Sequence, residues 1–247
     1  TRLTDVTGVQ TGALPILQPT VDNNLVYADE RIRFDGCAPA WPVDRSIGSG
    51  HSESKLKEQL EDEKNKNVSE YIYNSVSSWV VYHFHDTSDT AALRRICSVR
   101  DNQYLRADGA NLAPFLLMLK AECPGYYEKI RDTIRLAAPF FDDFKFRPKT
   151  SNGDEVLQLE WTQKDSDYPF HVNQLSDGTL RFIALTTAML QRNPPATILF
   201  DEPELGLHPY ALNLFAGLLK KAATRRQIIV STQSAPLLDN FQAEDII

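Results

Sequence analysis

The chain has 247 residues, with 26 Lys+Arg against 33 Asp+Glu for a formal charge of −7, and 42% hydrophobic against 24% charged residues. This composition excludes disorder as the main state, suffices for one sizeable core or two lobes of about 100 to 150 residues, and gives no global attraction to nucleic acid. No apolar run approaches the ~18 residues of a membrane span, no signal region opens the chain, and Cys37, Cys97 and Cys123 form no C-x-x-C pair, so a cytoplasmic protein with reduced thiols and no membrane partner is expected.

Residues 1–20 show neither helical nor strand periodicity and carry few charges, so they read as a non-native or disordered leader. Residues 6–16 resemble the conceptual translation of a common sequencing-library adapter, apart from a glycine where that reading has cysteine, which puts native sequence from about Leu17. An ordinary disordered N-terminus is the alternative. Between 24 and 34, Leu25, Tyr27, Ile32 and Phe34 sit among polar residues, as in a short hairpin or bent strand. Pro39, Pro42, Gly48 and Gly50 mark 36–51 as a loop, and 52–67, charged on nearly every side, reads as a solvated projecting helix. Residues 21–85 are thus expected as a β-subdomain bearing a charged helix.

The run 78–85 reads as a strand with Trp79, Val81, His83 and His85 on one face and Val80, Tyr82 and Phe84 on the other. Asp108 and Gly109 make a turn, Asn111 is placed to cap a helix reaching Lys120, and a second helix runs from about Tyr126 to Ala137. Strands are expected at 140–146 and 156–162, the latter from the alternation of Leu157, Leu159 and Trp161 with Gln158, Glu160 and Thr162. Residues 86–174 accordingly read as a helical lobe with connecting strands. From Ser176 onward helix and strand alternate: a helix after Ser176, strand 197–200, helix 209–223, strand 227–230 and helix 235–241, with 244–247 opening a further strand. That rhythm predicts a parallel sheet.

Three segments in this last part carry chemistry. The apolar run 197–200 ends in Asp201 and Glu202; a buried parallel strand delivers its C-terminal end to a ligand crevice, where one acid can hold Mg²⁺ and the other polarise an attacking water. Upstream, Ser176, Asp177 and Gly178 open a helix whose free N–H groups can receive an anion. Downstream, the apolar run 228–230 ends in Ser231, Thr232, Gln233 and Ser234. Taken singly, each also fits a plain helix cap or strand-end turn.

Together and in this order they resemble the ABC-type ATPases of the SMC/RecF-like AAA group. Leu-Ser-Asp-Gly-Thr-Leu-Arg at 175–181 resembles the signature motif, 198–202 Walker B, 204–209 the D-loop and 231–234 the switch segment. The blocks 82–88, 108–112 and 138–144 resemble the same group, so the likeness spans about 24–247. It implies an α/β P-loop NTPase core with a parallel sheet, an antiparallel β-subdomain and a helical lobe, the segment 175–247 being the signature, Walker B, D-loop and switch half. It further implies an ATP-dependent homodimer using ATP and Mg²⁺, with Asp201 as the Mg²⁺ carboxylate and Glu202 as the catalytic carboxylate. Gln233 becomes the γ-phosphate sensor and Ser176, Asp177, Gly178, His208 and Ser231 nucleotide-facing positions. DNA and a co-encoded effector protein are candidate partners, with DNA repair, chromosome maintenance or phage defence as outputs.

Departures from the pattern are equally specific. No G-x-x-x-x-G-K-[ST] occurs, so the chain is expected to be a truncated form, inactive without its P-loop part. Asp177 stands where the family has the first of two glycines, His208 at the D-loop aspartate position, and Gln233 at the switch histidine. Two rival readings are a non-catalytic nucleic-acid-binding or scaffolding module of ATPase shape, and a metal-dependent nuclease using Asp201, Glu202 and the histidines. His83, His85 and Asp86 form a weak candidate metal set because they share one strand and lack a downstream His or Cys at ligand spacing. The clusters Arg94, Arg95, Arg100, Arg106 and Lys220, Lys221, Arg225, Arg226 are candidate phosphate contacts, more simply read as solvated cations.

Overall fold

The computed structural model describes residues 3–4, 10–22, 24–35, 43–61 and 66–246, which divide into two compact units. The first, residues 1–79 with 224–227, is built on a sheet of β1 (Leu3–Thr4), β2 (Gln10–Pro19), β3 (Leu25–Asp35) and β4 (Val43–Gly48), antiparallel and in chain order. Residues 10–19, expected as irregular leader, therefore form a strand paired with β3 along its whole length. Pro15 and Pro19 hide it in the sequence; among the described residues β1 covers only Gln10 and Thr11, so the rest of β2 is an edge, where proline is tolerated. The bent strand expected at 24–34 is β3, with register shifts opposite Ile16 and at Glu30. Instead of a continuous loop, β4 occupies 43–48. Of the helix expected at 52–67, Glu58–Glu61 is a 3₁₀ turn, residues 62–65 lie outside the described residues, and Lys66 and Asn67 open α1 (Lys66–Ser77). Ile32, Leu56 and Ile72 form the small core beneath it. Buried Glu30 is satisfied by Ser54 Oγ at 2.5 Å and the Lys55 N–H at 2.9 Å.

The second unit, residues 80–223 with 228–247, holds one large core shared by its helices and three small sheets. Its elements are β5 (Val80–Tyr82), β6 (Cys97–Ser98), α2 (Leu112–Glu122), α3 (Pro124–Ala137), β7 (Phe141–Lys145), β8 (Lys149–Ser151), β9 (Asp154–Leu157), β10 (Glu160–Gln163) and β11 (Pro169–His171). They continue with α4 (Asp177–Leu190), β12 (Thr197–Asp201), α5 (Pro209–Ala223), β13 (Gln227–Ser231) and α6 (Ala235–Leu238). The strand expected at 156–162 is two strands in different sheets, β9 beside β6 and β8, and β10 between β7 and β11. Alternation fails there because Leu159, Glu160, Trp161 and Thr162 are all buried, so periodicity no longer marks one face. Where a strand is expected to open at 244, Ala243–Asp245 is a 3₁₀ turn.

The functional half hangs on the sheet ordered β13-β12-β5, in which β12 pairs parallel with β5 through Ile198 with Val80 and Phe200 with Tyr82. α4, buried on nearly all sides from Leu180 to Met189, and α5 pack together in the core behind it. Asn111 occupies the N-cap of α2 but does not cap it; its side chain instead accepts the Arg106 N–H and donates to the carbonyls of Asp101 and Tyr104, fixing the preceding loop. No helix among the described residues is long and apolar enough to cross a membrane.

At the edge of this core, the buried Tyr127 hydroxyl donates to Asp143 at 2.6 Å while Lys120 pairs with the other carboxylate oxygen at 2.9 Å. Burial, then Asp143, push the tyrosine hydroxyl far above its ordinary pKa. Burial tends to raise the Asp143 carboxyl, but Tyr127 and Lys120 outweigh it and hold it below its usual range. Tyr127→Phe should therefore cost about 1.5 kcal/mol at pH 7. Because the folded-state pKa of Asp143 is depressed, that contribution is full above the unfolded value of about 3.9 and fades as pH falls through the folded value. Urea unfolding at neutral and acid pH checks this: a cost that does not shrink in acid contradicts the assignment.

Candidate functional site at the end of the parallel sheet

Burial of β12 is what delivers the two acids. Ile198 and Phe200 are enclosed, with Phe200 stacked on Tyr82 at 5.8 Å and edge-on to Phe215 at 5.6 Å. The strand can go no further into the core once charge begins, so Asp201 and Glu202 emerge at its rim, both half-buried. Glu202 adopts φ +38°, a left-handed conformation unusual outside glycine, and its N–H donates to the Ser231 carbonyl at 2.8 Å. That bend aims its carboxylate at the switch segment, where Gln233 Nε2 donates to Glu202 Oε1 at 2.7 Å.

The following acid, which the sequence did not single out, completes the link. Glu204 Oε1 accepts from the Thr232 hydroxyl at 2.5 Å and from the Gln233 N–H at 3.3 Å. Ser234 then caps the short α6 through the Leu237 N–H. Walker B-like and switch-like segments are thus joined by two carboxylates three positions or fewer from the strand end.

The signature-like segment comes to the same rim. Ser176 caps α4, its hydroxyl accepting the Thr179 N–H at 3.2 Å, and it lies exposed with Asp177. Asp177, the carboxylate at the position where the family has a glycine, is paired: Arg94 Nη2 reaches it at 2.9 Å. Arg94 is itself buried, and donates to the carbonyls of Thr87 at 2.9 Å and Val172 at 2.7 Å. One turn along, buried Arg181 donates to the carbonyls of Phe84 at 2.8 Å and His85 at 2.7 Å. Burial draws its guanidinium below the usual arginine range, opposed by the Asp177 charge. The long-range pairings of these arginines are not legible from sequence, since apart from the nearby Thr87 carbonyl the partners named here lie 78 to 97 residues away.

Gly178 sits against the D-loop-like segment so closely that a Cβ there would fall 2.1 Å from the Gly206 carbonyl oxygen; Gly206 itself has φ +72°. His208 is exposed, its Nδ1 accepting the Tyr210 N–H at 3.3 Å at the start of α5. Of the basic cluster at 94–106, Arg94 is buried, Arg95 binds the Thr90 carbonyl and Arg106 pairs with Asp101 at 2.7 Å. Three of its four cations are thus used internally.

The histidine pair finds a different partner from the one expected. Asp86 turns to its own loop, where the Ser88 hydroxyl and N–H lower its pKa. His85 instead lies beside β12, with Nε2 2.6 Å from the Asp201 carbonyl oxygen.

Residues 40–240 match the family described as "AAA domain, putative AbiEii toxin, Type IV TA system". No curated protein matches the sequence. Among solved structures, the chain is similar to an SMC head bound to the C-winged helix domain of ScpA, with TM-score 0.47 and 15% identity over 89% of this chain and 63% of that one. It is similar also to the SMC head domain of Thermotoga maritima, with TM-score 0.37 and 13% identity over 91% of this chain and 65% of that one. The chain thus spans under two thirds of the length of both heads.

The contact of Gly178 with Gly206 gives a direct test of the site's packing. Gly178→Ala should cost about 1 to 3 kcal/mol, because backbone rather than a flexible side chain must move. Gly125→Ala in α3, where nothing lies within 4 Å of an added Cβ, should be neutral or stabilising by up to ~1 kcal/mol. Chemical denaturation of both variants measures the difference; equal midpoints contradict the close approach.

Proposed function

The chain belongs to the AAA-domain family that its residues 40–240 match, and from that membership we propose that it binds and hydrolyses ATP as half of an ATP-dependent homodimer. The observation that carries this reading is the 2.7 Å hydrogen bond from Gln233 to Glu202 at the end of a buried parallel strand, next to Asp201. The residues fit ATP·Mg²⁺: Asp201 offers the hard carboxylate oxygen that Mg²⁺ prefers, and the start of α4 offers N–H groups to the phosphate of a second nucleotide, held by the partner subunit. When bound, Mg²⁺ neutralises charge on the phosphates. Glu202 takes the proton of the attacking water, held in its strained position by Ser231 and oriented by Gln233. Gln233 can hydrogen-bond water or phosphate without titrating, so its role does not depend on pH.

Ser176, exposed at the α4 N-terminus, and Gly178 beside it serve the nucleotide of the partner subunit. Arg94 cancels the Asp177 charge that would otherwise repel that phosphate. The sequence contains no G-x-x-x-x-G-K-[ST], so these residues lack that β/γ-phosphate cradle and are expected to be inactive without a P-loop part. Among the outputs implied by the resemblance, the family's description, with its toxin–antitoxin system, favours phage defence acting through a co-encoded protein. In protein expressed from the whole open reading frame, Glu202→Gln should retain ATP binding and lower turnover by ~10²- to 10⁴-fold. Asp201→Asn should weaken the Mg²⁺ dependence. Steady-state hydrolysis and nucleotide binding are the readouts, and parental rates in both variants overturn the assignment.

A further inference from the structure

Beyond β5 the chain stays extended through 83–85, and the period of two puts Tyr82 and Phe84 into the core while His83 and His85 face the other way. The His83 N–H is anchored on the Ala107 carbonyl at 2.9 Å, and the rings of His83 and His85 lie 6.3 Å apart, edge to face. Parallel pairing of β5 with β12 then brings in a third ligand from a strand more than a hundred residues away. One ligand atom each of His83, His85 and Asp201 lie within 4.8 Å of one another.

We propose that His83, His85 and Asp201 form a binding site for a borderline divalent transition metal ion of the Zn²⁺, Co²⁺ or Ni²⁺ class. Two imidazoles and one carboxylate are the donor set such ions take, and three protein ligands leave a position for water. Mg²⁺ is a poor match to the imidazoles, so the two kinds of cation divide at this point: Mg²⁺ needs Asp201 alone, whereas a transition ion gains both histidines. His83 is exposed and gives the ion its entry path, while His85 and Asp201 are half-buried and already held together by the 2.6 Å contact of His85 Nε2 with the Asp201 carbonyl. The surrounding charges are mixed, with Glu202 next to Asp201 and Arg181 bound to the His85 carbonyl. A transition ion here occupies the carboxylate assigned above to Mg²⁺ and therefore blocks Mg²⁺-dependent turnover. The site shares Asp201 with that assignment but requires neither nucleotide nor the ATPase reading.

The test uses the chain alone, without ATP. Titration with Co²⁺, followed by its visible absorption and by calorimetry, should show one equivalent bound with nitrogen and oxygen donors, displaced by Zn²⁺ and not by millimolar Mg²⁺. His83→Ala, an exposed change that leaves the core intact, should weaken binding at least ~10-fold, the loss that even an outer partner of a metal ligand commonly causes. Asp201→Asn should do the same, and Asp86→Asn should leave binding unchanged. Binding that survives His83→Ala, thiolate-to-cobalt charge-transfer bands, or no binding above that of the His83→Ala/His85→Ala variant would each overturn the proposal. Metal binding as expected, in protein that shows no Mg²⁺-dependent ATP hydrolysis when free of transition ions, would instead count against the ATPase reading alone.

Discussion

The arrangement turns on a guanidinium removed from water. Arg181 is 5% exposed and spends its donors on two backbone carbonyls, Phe84 and His85, at the point where the chain leaves β5. Those carbonyls have passed the end of the sheet ladder, and each would cost ~1 to 3 kcal/mol if buried without a donor. Supplying the donor from the second turn of α4 fixes the signature-like helix to the strand end. Arg94 repeats the device from the other side, tying the Thr87 carbonyl to Val172 and Asp177. The two arginines therefore hold the segment between them and the start of α4 as one piece.

From that piece the remaining contacts follow in sequence. Fixing α4 sets Gly178 against Gly206, which only a residue without a Cβ allows, and so places the D-loop-like segment. That segment carries Glu204, which grips Thr232 and the Gln233 backbone, and Gln233 reaches back to Glu202. Glu202 closes the circuit at φ +38°, a strained conformation maintained because its N–H and its carboxylate are both held. Strain of this kind costs of order 1 to 3 kcal/mol and persists only where surroundings over-determine it. The polar rim is thus a connected network built on a buried apolar strand, and its stiffness is what lets a side chain such as Glu202 act at a fixed position.

The motif half was legible in the sequence because its signals are local. Ser176 caps a helix, an apolar run ends in Asp201 and Glu202, and α5 has the bounds its pattern predicts, since capping and burial act within a few residues. What escaped were pairings across long separations and departures from period two. Arg94 with Asp177, and His85 with Asp201, depend on which strands become neighbours. β2 was hidden by prolines tolerated on an edge, and β9 and β10 were merged because both faces of the chain are buried from Leu159 to Thr162. The charged run at 52–67 reads differently for the opposite reason: charge density suggests a helix, but Leu56 is buried with Ile32 and Ile72, and Glu58–Glu61 is a 3₁₀ turn ahead of α1.

In the proposed dimer, the exposed α4 N-terminus at Ser176 and Asp177 helps a phosphate only when it arrives from outside the subunit. The most direct measurement is the rate of ATP hydrolysis against protein concentration, for protein expressed from the whole open reading frame. A rate rising faster than linearly until ATP-bound dimers saturate is expected. A rate strictly proportional to protein at every concentration, in protein that stays monomeric with ATP, contradicts a signature acting in trans.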